Sequence, residues 1–229
     1  MSRPKHANQI PSLAEAIKDT AWKQIAASGA AALSLRAIAR ELGLTAPSIY
    51  HYYPSRDDLV TALIVDAFTA LAGSQKAAVA SLPPESLVER FQRLGFAYRE
   101  WAIEHPQWYQ LIFGTPIPGY HAPAEITVPA ASLALVPLIE SLQALASAGL
   151  LKLANLAEKS AALTKMLDEW AAFVPGADPE VLYLALIVWS RVHGLVSMEI
   201  GIEYPSFITD PLEIYQREIM NMTRQYLAQ

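Results

Sequence analysis

Apolar residues recur at helical spacing along almost the whole of this 229-residue chain. Near the N-terminus, Leu13, Ile17, Ala21 and Ile25 are each four residues apart, which places them on one face of an α-helix. No stretch shows the strict alternation of apolar and polar residues that is typical of a half-buried β-strand. The sequence therefore predicts an all-α fold.

Proline, glycine and capping residues divide this pattern into separate helices. Ser34 and Thr45 stand at expected N-cap positions, Gly43 ends the helix before it, and Ser55 with Asp58 forms a capping-box pattern. We predict helices over about 13–28, 35–42, 46–52, from 55 onward, and over 84–104, 106–114, 127–148, 155–173, 178–200 and 210–227. The longest predicted loop covers residues 114–125, which contain three prolines.

Composition and motifs exclude several classes of function. The chain has no cysteine, so it has no disulfide framework, thiol nucleophile or cysteine-based metal site. Its five histidines stand at no ligand spacing, and it contains neither a Gly-x-Ser-x-Gly nor a His-Glu-x-x-His motif nor a phosphate-binding glycine loop. We therefore predict no enzyme activity, no cofactor and no metal site.

The sequence also suggests where the protein acts. Residues 1–9 are polar and lack the apolar segment of a secretion signal. No run reaches the roughly 18 uninterrupted apolar residues expected of a membrane-spanning helix. We expect a cytoplasmic protein that does not bind membranes.

Charge is unevenly distributed along the chain. The net charge is −5, from 17 basic and 22 acidic residues, but residues 1–60 carry +2 and residues 61–229 carry −7. A basic end on an acidic body is the distribution expected of a DNA-binding domain joined to a separate regulatory body. We place these two domains at residues 1–56 and 57–229.

Two short predicted helices that meet at Gly43, preceded by a longer one, form a helix-turn-helix candidate. The second helix would present small, hydroxyl-bearing and imidazole side chains to base edges and phosphates. Arg36 and Arg56, together with Arg3 and Lys5, would pair with phosphates. A similar corner occurs in many all-α proteins, so the alternative is a helical ligand-binding or protein-interaction module without DNA binding.

The segment from Ala21 to Leu63 resembles the tetracycline-repressor (TetR) family. The resemblance rests on Gly29, on the sequence Ser-Leu-Arg-Ala-Ile-Ala at 34–39, and on residues 43–56 with Leu59. It implies an N-terminal three-helix DNA-binding domain and a C-terminal helical domain for ligand binding and dimerisation. It further implies a homodimeric regulator, usually a repressor, which binds a palindromic double-stranded DNA operator and is released by a small-molecule effector.

The resemblance also implies roles for individual residues of the first domain. Contacts with bases are implied for Pro47, Ser48 and His51. Contacts with the DNA backbone, and for Arg36 sometimes with a base, are implied for Leu35, Arg36, Tyr50, Tyr52 and Arg56. Ala46 departs from the longer polar residue that is common in the family, so the usual base preference is not implied here. The predicted DNA-binding residues are Leu35, Arg36, Thr45, Ala46, Pro47, Ser48, Tyr50, His51, Tyr52 and Arg56.

Aromatic residues and histidines are concentrated in the acidic body. A resemblance to the WHG-type C-terminal domain of a subset of the family rests on Trp189, His193, Gly194 and Glu199, with Trp101 and the Glu-His-Pro sequence at 104–106. Aromatics at helical spacing form either an ordinary core or a ligand cavity, and the sequence leaves both open. The predicted effector-binding residues, expected to cluster in one domain, are Trp101, His105, Trp108, Tyr109, Phe113, Trp170, Trp189 and His193.

The last two predicted helices, about 179–200 and 211–227, correspond to those that form a four-helix bundle between TetR subunits. Gly194 lies inside the first of them, and close packing or a bend would compensate its cost of about 1 kcal/mol relative to Ala. The alternative is that these helices pack only against the core of their own subunit and form no dimer interface. The apolar residues available for either role are Leu184, Ile187, Val188, Val192, Leu195, Ile214, Ile219, Met222 and Leu227.

Overall fold

The computed structural model describes residues 12–152, 158–172, 174 and 176–228, and within them the fold is all-α, as predicted. No β-strand occurs in these ranges, where the only pairing of the β type is an isolated bridge between Leu151 and Leu227. The α-helices are α1 (Leu13–Ser28), α2 (Leu35–Glu41), α3 (Ala46–Tyr52), α4 (Arg56–Ala80), α5 (Leu87–Glu104), α6 (Pro106–Phe113), α7 (Ala124–Ser147), α8 (Ala161–Ala171), α9 (Pro179–Ile200) and α10 (Pro211–Tyr226).

The largest departure from the predicted helices is α8, which is shorter than the expected 155–173. Its N-terminus is fixed by Ser160, whose hydroxyl accepts a hydrogen bond from the backbone N–H of Leu163 at 3.2 Å. Residues 153–157 and Phe173, which the prediction included, lie outside the described residues. Elsewhere the predicted helix ends differ from the observed ones by a few residues, as is usual for helix termini.

The chain forms two compact units. The first contains the described part of residues 1–66 together with Gln107–Thr127, and the second contains Ala67–Pro106 and the described part of residues 128–229. The predicted domain boundary, between residues 56 and 57, falls at the start of α4. This helix contributes residues 56–66 to the first unit and residues 67–80 to the second.

The core of the first unit is built from fully buried aliphatic residues of α1, α2, α3 and α4. Ile38 of α2 and Ile49 of α3 have no solvent exposure, and these two helices pack directly against each other. Gly43 adopts a φ of +67°, which L-residues rarely adopt, and so permits the tight turn between them. The N–H of Leu44 then donates to the carbonyl of Ala39 at 2.8 Å, which fixes the corner.

Capping contacts define the short helices of this unit. The hydroxyl of Ser34 accepts from the N–H of Ala37, and Ser55 and Asp58 form the predicted reciprocal capping box, with N–H to oxygen distances of 3.1 and 2.9 Å. Thr45 occupies the N-cap position of α3, but its hydroxyl pairs with that of Ser48 at 2.9 Å rather than with a backbone N–H. Thr45 therefore does not cap α3 through its side chain.

In the second unit α5, α9 and α10 pack against one another. A Cβ on Gly95 of α5 would lie 2.5 Å from Cδ1 of Ile219, so glycine allows α5 and α10 to approach closely. A Cβ on Gly194 would meet nothing within 4 Å. Of the two predicted compensations for Gly194, close packing and a bend, close packing is absent inside the described part of the subunit, where the close approach occurs at Gly95 instead.

Most of the apolar residues predicted for a dimer seam are buried inside the subunit itself. Helical periodicity correctly marked them as apolar and interior, but it could not show whether their own subunit or a second one covers them. The residues concerned are Leu184, Val188, Val192, Ile219, Met222 and Leu227. Ile187, Leu195 and Ile214 are half-buried, and the exposed Leu186 of α9 and Met220 of α10 were not among the predicted residues.

Two helices, α7 and α9, are long and apolar enough to cross a membrane by length and composition alone. Their mean hydropathy over 18 residues reaches 1.5 and 1.6, although polar residues and prolines interrupt the apolar runs. In each, 39% of this window is buried within the protein, and the core helix of a soluble protein passes the same test. This test does not require an uninterrupted apolar run, which the sequence lacks, and the finding is weak evidence for a membrane span.

The capping box predicts an unequal effect of two neighbouring substitutions. Replacing Asp58 by Ala removes the acceptor for the N–H of Ser55 and should lower the free energy of unfolding by about 1 kcal/mol. Asp57→Ala makes the same change in charge in the same helical turn but leaves the hydrogen bonds between Ser55 and Asp58 intact. It should lower the free energy of unfolding by less than about 0.5 kcal/mol. Urea denaturation of both variants measures this difference, and equal losses would contradict it.

Candidate DNA-binding surface and internal cavity

Helix α3 is anchored by one buried residue and turns its polar aromatic residues outward. Ile49 is fully buried, whereas Tyr50 and Tyr52 are 40% and 44% exposed and His51 is also exposed. The rings of His51 and Tyr52 contact each other edge to face at 5.6 Å. Tyr53 is half-buried, and burial raises the pKa of its phenol. Tyr50 is therefore not a core residue.

The other predicted DNA-binding residues of α3 and its N-cap differ in exposure. Thr45 and Pro47 are exposed, while Ala46 and Ser48 are half-buried at the start of the helix. In α2, Arg36 is exposed, but the side chain of Leu35 is only 5% exposed and belongs to the core. Leu35 can therefore reach DNA only through its backbone.

Arg56 is held by the protein itself. Its Nη2 donates to the carbonyl oxygens of Ala30 and Ala31, at 3.2 and 3.4 Å, and its Nη1 lies 3.9 Å from a carboxylate oxygen of Asp57. The guanidinium thus fastens the start of α4 to the 3-10 turn at residues 30–32. To bind a phosphate directly, it would have to give up these contacts. Arg3 and Lys5 lie outside the described residues.

Lys18 of α1 pairs with two carboxylates, one on its own helix and one on α4. Its ammonium lies 2.9 Å from Glu15 and 2.8 Å from Asp66. Burial alone would lower the pKa of Lys18, but the hydrogen bonds to these carboxylates outweigh it and hold the pKa above its usual range. Its charge is therefore neutralised locally, and the exposed basic side chains of the described first unit are Lys23, Arg36 and Arg40.

Three of the predicted effector-binding residues belong to the first unit. Trp108 of α6 stacks on Trp22 of α1, with ring centroids 4.6 Å apart and nearly parallel planes. Tyr109 is buried, and its ring lies 5.1 Å from that of Phe113. The expectation that all eight residues cluster in one domain is therefore wrong for these three, because stacking on α1 associates α6 with the first unit.

A small cavity lies inside the second unit, where α4, α5, α7, α9 and α10 converge. Its volume is about 20 Å³, which is enough for about one water molecule. Of the predicted effector-binding residues, only Trp189 lines it. The lining residues are Gln75, Phe91, Leu94, Gly95, Tyr98, Ala134, Leu135, Leu138, Val188, Trp189, Val192, Ile219 and Met222.

His193 lies directly behind this cavity wall. Its Nδ1 is 2.9 Å from the hydroxyl of Tyr98, its Nε2 is 3.4 Å from the hydroxyl of Ser197, and its ring stacks on that of Trp189 at 4.8 Å. Burial lowers the pKa of His193 below its ordinary value. The imidazole is therefore neutral at pH 7 and holds the orientation of both Tyr98 and Trp189.

The remaining predicted residues of the second unit do not line the cavity. Trp101 is buried with its ring 5.6 Å from that of His105, and Trp170 is half-buried on α8. Gln75 and most of the aliphatic lining were not among the residues predicted to bind an effector. Phe91, Leu94 and Tyr98 follow the i, i+3, i+7 spacing of one face of α5 and could have been selected from it. No pattern around Gln75 marks it as buried.

Two family models match the chain. The model described as bacterial regulatory proteins, tetR family, matches residues 17–63, which include α2, α3 and the start of α4. The model described as tetracyclin repressor-like, C-terminal domain, matches residues 91–222. The second match covers all the cavity-lining residues of α5, α7, α9 and α10.

The chain is also similar to individual proteins. HTH-type transcriptional regulators of Mycobacterium bovis and Mycobacterium tuberculosis are 32% identical to it over 200 residues, which cover 86% of this chain and 84% of theirs. The crystal structure of the regulatory protein SCO4313 is 35% identical, with a TM-score of 0.75, over 92% of this chain and 94% of that one. A tetR-family regulator from Shewanella shares the fold at 17% identity, with a TM-score of 0.62 over 96% of this chain and 100% of its own.

The environment of His193 predicts a pH dependence of stability. Burial in the folded state disfavours the protonated imidazole and lowers its pKa, whereas the unfolded chain protonates it below about pH 6.5. The unfolded state therefore binds more protons, and the free energy of unfolding should fall as pH decreases through 6.5. Thermal unfolding of the wild type and of His193→Asn between pH 7.5 and 5.5 measures this. The variant should lose less stability over that range, and equal losses would contradict the assignment.

Proposed function

Because the chain belongs to the TetR family of transcriptional regulators, we propose that it binds a palindromic DNA operator as a homodimer and acts as a repressor in the cytoplasm. The family regulates transcription and is not enzymatic. Release from the operator would follow binding of a small molecule in the second unit. The observation that carries the proposal is the outward-facing polar aromatic surface of α3.

The composition of α3 supports this role because the protein's own packing does not require it. One buried residue, Ile49, anchors the helix, and Tyr50, His51 and Tyr52 project from it into solvent. Hydroxyl and imidazole groups can bond to phosphates and base edges, and Pro47 offers apolar contact to a thymine methyl group. A recognition helix in the major groove needs such side chains on a rigid base.

Electrostatics favour the same surface. Residues 61–229 carry a net charge of −7, so a DNA duplex would be repelled by most of the protein. Residues 1–60 carry +2, and Arg36 stands exposed in the first turn of α2. Because phosphate contacts supply most of the sequence-independent affinity, Arg36 is the described cation best placed to contribute it.

DNA binding is tested with single substitutions on this surface. Tyr50→Ala and Arg36→Ala should each weaken binding to a duplex enriched from a random pool by at least about tenfold, since each removes a DNA contact without touching the core. Fluorescence anisotropy with the labelled duplex measures this, and circular dichroism checks the fold. Lys165→Ala, an equal change of charge on the exposed surface of α8, should leave affinity unchanged.

Two outcomes would contradict the assignment. If Tyr50→Ala loses helical content together with binding, Tyr50 has a structural role. If Lys165→Ala weakens binding as much as Arg36→Ala, the effect reflects net charge rather than a contact at α2.

A free apolar strip on α9 supports dimerisation. Leu186, Ile187, Ser190 and Gly194 follow helical spacing on the side of α9 that the subunit's own core leaves accessible, and Leu186 is 42% exposed. The open space above Gly194 would let a second helix approach closely. Exposed Met220 on α10 adds to the apolar surface. A two-fold dimer would also present two copies of α3 to a palindromic operator.

The strip predicts which substitution separates the subunits. Gly194→Arg should leave the monomer folded, because its side chain enters open space, but should place a charge in the dimer seam. Sedimentation equilibrium should then show a monomer, with unchanged circular dichroism. Met166→Arg, at an exposed position on α8, should remain dimeric. A dimeric Gly194→Arg would contradict this location of the seam.

The cavity beside Trp189 is the effector site that the geometry supports best. It lies among five helices of one unit, and Trp189, Tyr98 and His193 form a connected group at its wall. Helix α4 contributes Gln75 to this cavity and Leu59 and Leu63 to the core of the first unit. A shift of α4 on ligand binding would therefore reach the core that supports α3.

A further inference from the structure

We propose that the effector is an uncharged, predominantly apolar molecule with at most one small polar group, and that anions and cations of the same shape are rejected. This inference rests on the proposed function because it describes the ligand of the same cavity. It follows from the cavity's lining, from the pairing of the charges around it and from its small volume.

The lining contains no charged side chain. Nine of its described residues are aliphatic, methionine or phenylalanine, and its polar side chains are Gln75, Tyr98 and Trp189. A ligand buried here exchanges water for apolar surface over most of its area, which favours apolar groups by roughly 25 cal/mol per Å². The hydrophobic effect is therefore the main source of affinity that this wall offers.

On α5, α9 and α10, the charged residues next in sequence to lining residues are paired with groups of the protein, including Arg93 with Glu100. On α5, Arg99 forms a bidentate salt bridge with Glu199 of α9, with distances of 2.8 and 2.5 Å. Arg191 of α9 pairs with Glu218 of α10. Arg90 donates to the carbonyl of Val79 at 2.7 Å and to that of Leu82 at 3.1 Å.

A charged ligand would therefore enter without a counterion. A carboxylate or ammonium moved from water into such a site loses its hydration and gains no opposite charge. To obtain a counterion, the ligand would have to break one of the salt bridges that join α9 to a neighbouring helix. The protein side chain displaced from that salt bridge would then be an unpaired charge itself. The paired state of these side chains thus acts against ionic ligands of either sign.

The polar side chains that line the cavity can form hydrogen bonds with one small, neutral polar group of a ligand. The amide nitrogen of Gln75 donates to the carbonyl of Ala134 at 3.0 Å, and Tyr98 is paired with His193. Both side chains are only 4% exposed. A ligand hydroxyl or carbonyl could join these existing hydrogen bonds, but a strongly polar ligand would leave most of its groups unsatisfied.

The cavity must open to admit even a small ligand, because its volume is about 20 Å³. Two features of its wall permit this. Met222 has an unbranched, flexible side chain that can repack. Helix α7 contains Pro129 and Pro137, so it lacks two backbone hydrogen-bond donors and deforms more easily than a regular helix. Both features suit a compact apolar ligand.

Three probes of the same shape test the proposal on the full chain. They are cyclohexylmethanol, cyclohexanecarboxylate and cyclohexylmethylammonium, titrated at pH 7.5 while tryptophan fluorescence is recorded. The neutral alcohol should bind at least about 30-fold more tightly than either ion, since each ion must be desolvated without a counterion. Absence of binding by the alcohol, or equal binding of either ion, would overturn the proposal.

Substitutions at Gln75 test whether the probe occupies this cavity. Gln75→Glu and Gln75→Met both lose the bond to Ala134, so they are matched for that structural effect. Gln75→Glu should reverse the preference and bind cyclohexylmethylammonium more tightly than the alcohol, whereas Gln75→Met should keep the order of the wild type. The same order in both variants would overturn the proposal. Circular dichroism and thermal unfolding establish that both variants are folded.

A filled cavity provides a second, independent test. Leu94→Trp should reduce affinity for the alcohol at least about tenfold, whereas Met166→Trp, on the exposed surface of α8, should leave it unchanged. Unchanged affinity in Leu94→Trp would overturn the proposal. These measurements contain no DNA, so their failure is separate from failure of the proposed function, which would appear as loss of duplex binding by the ligand-free protein.

Discussion

The packing of α2 against α3 is the contact on which the proposed function depends. Ile38 and Ile49 bury completely at this corner, and the positive φ of Gly43 lets the chain turn tightly enough for them to meet. Because Ile49 is the buried anchor of a seven-residue helix, its neighbours have no core to enter. Tyr50 and Tyr52 are therefore held outward on a rigid base, which is what recognition of a duplex requires.

In the second unit, close helix packing and ion pairs hold α5, α9 and α10 together. Gly95 brings α5 against Ile219 of α10, and the paired charges of Arg99 and Arg191 join α9 to its neighbours. Between these contacts lies a small apolar cavity with Trp189, Tyr98 and His193 at its edge. The two ion pairs thus hold the helices together and leave neither Arg99 nor Arg191 free to bind an ionic ligand.

Local signals predicted most of the fold, and residues whose role depends on a distant partner were the ones missed. Caps at Ser34 and Ser55 involve neighbours three residues away, so the sequence alone located those helices. Periodicity showed that Val192 is interior but could not show whether its own subunit or a second one covers it. The stack of Trp108 on Trp22 joins residues that are far apart in sequence, so the grouping of aromatics by sequence position failed there.

The most direct test of the central claim is the selection of bound duplexes from a random pool by the wild-type protein at low salt. Two exposed α3 helices related by a dimer axis predict an enriched sequence with two inverted half-sites, with centres about one helical turn of DNA apart or a multiple of it. Binding to this sequence should weaken steeply as salt increases. Recovery of no enriched sequence at low salt would contradict the assignment of α3 as a recognition helix.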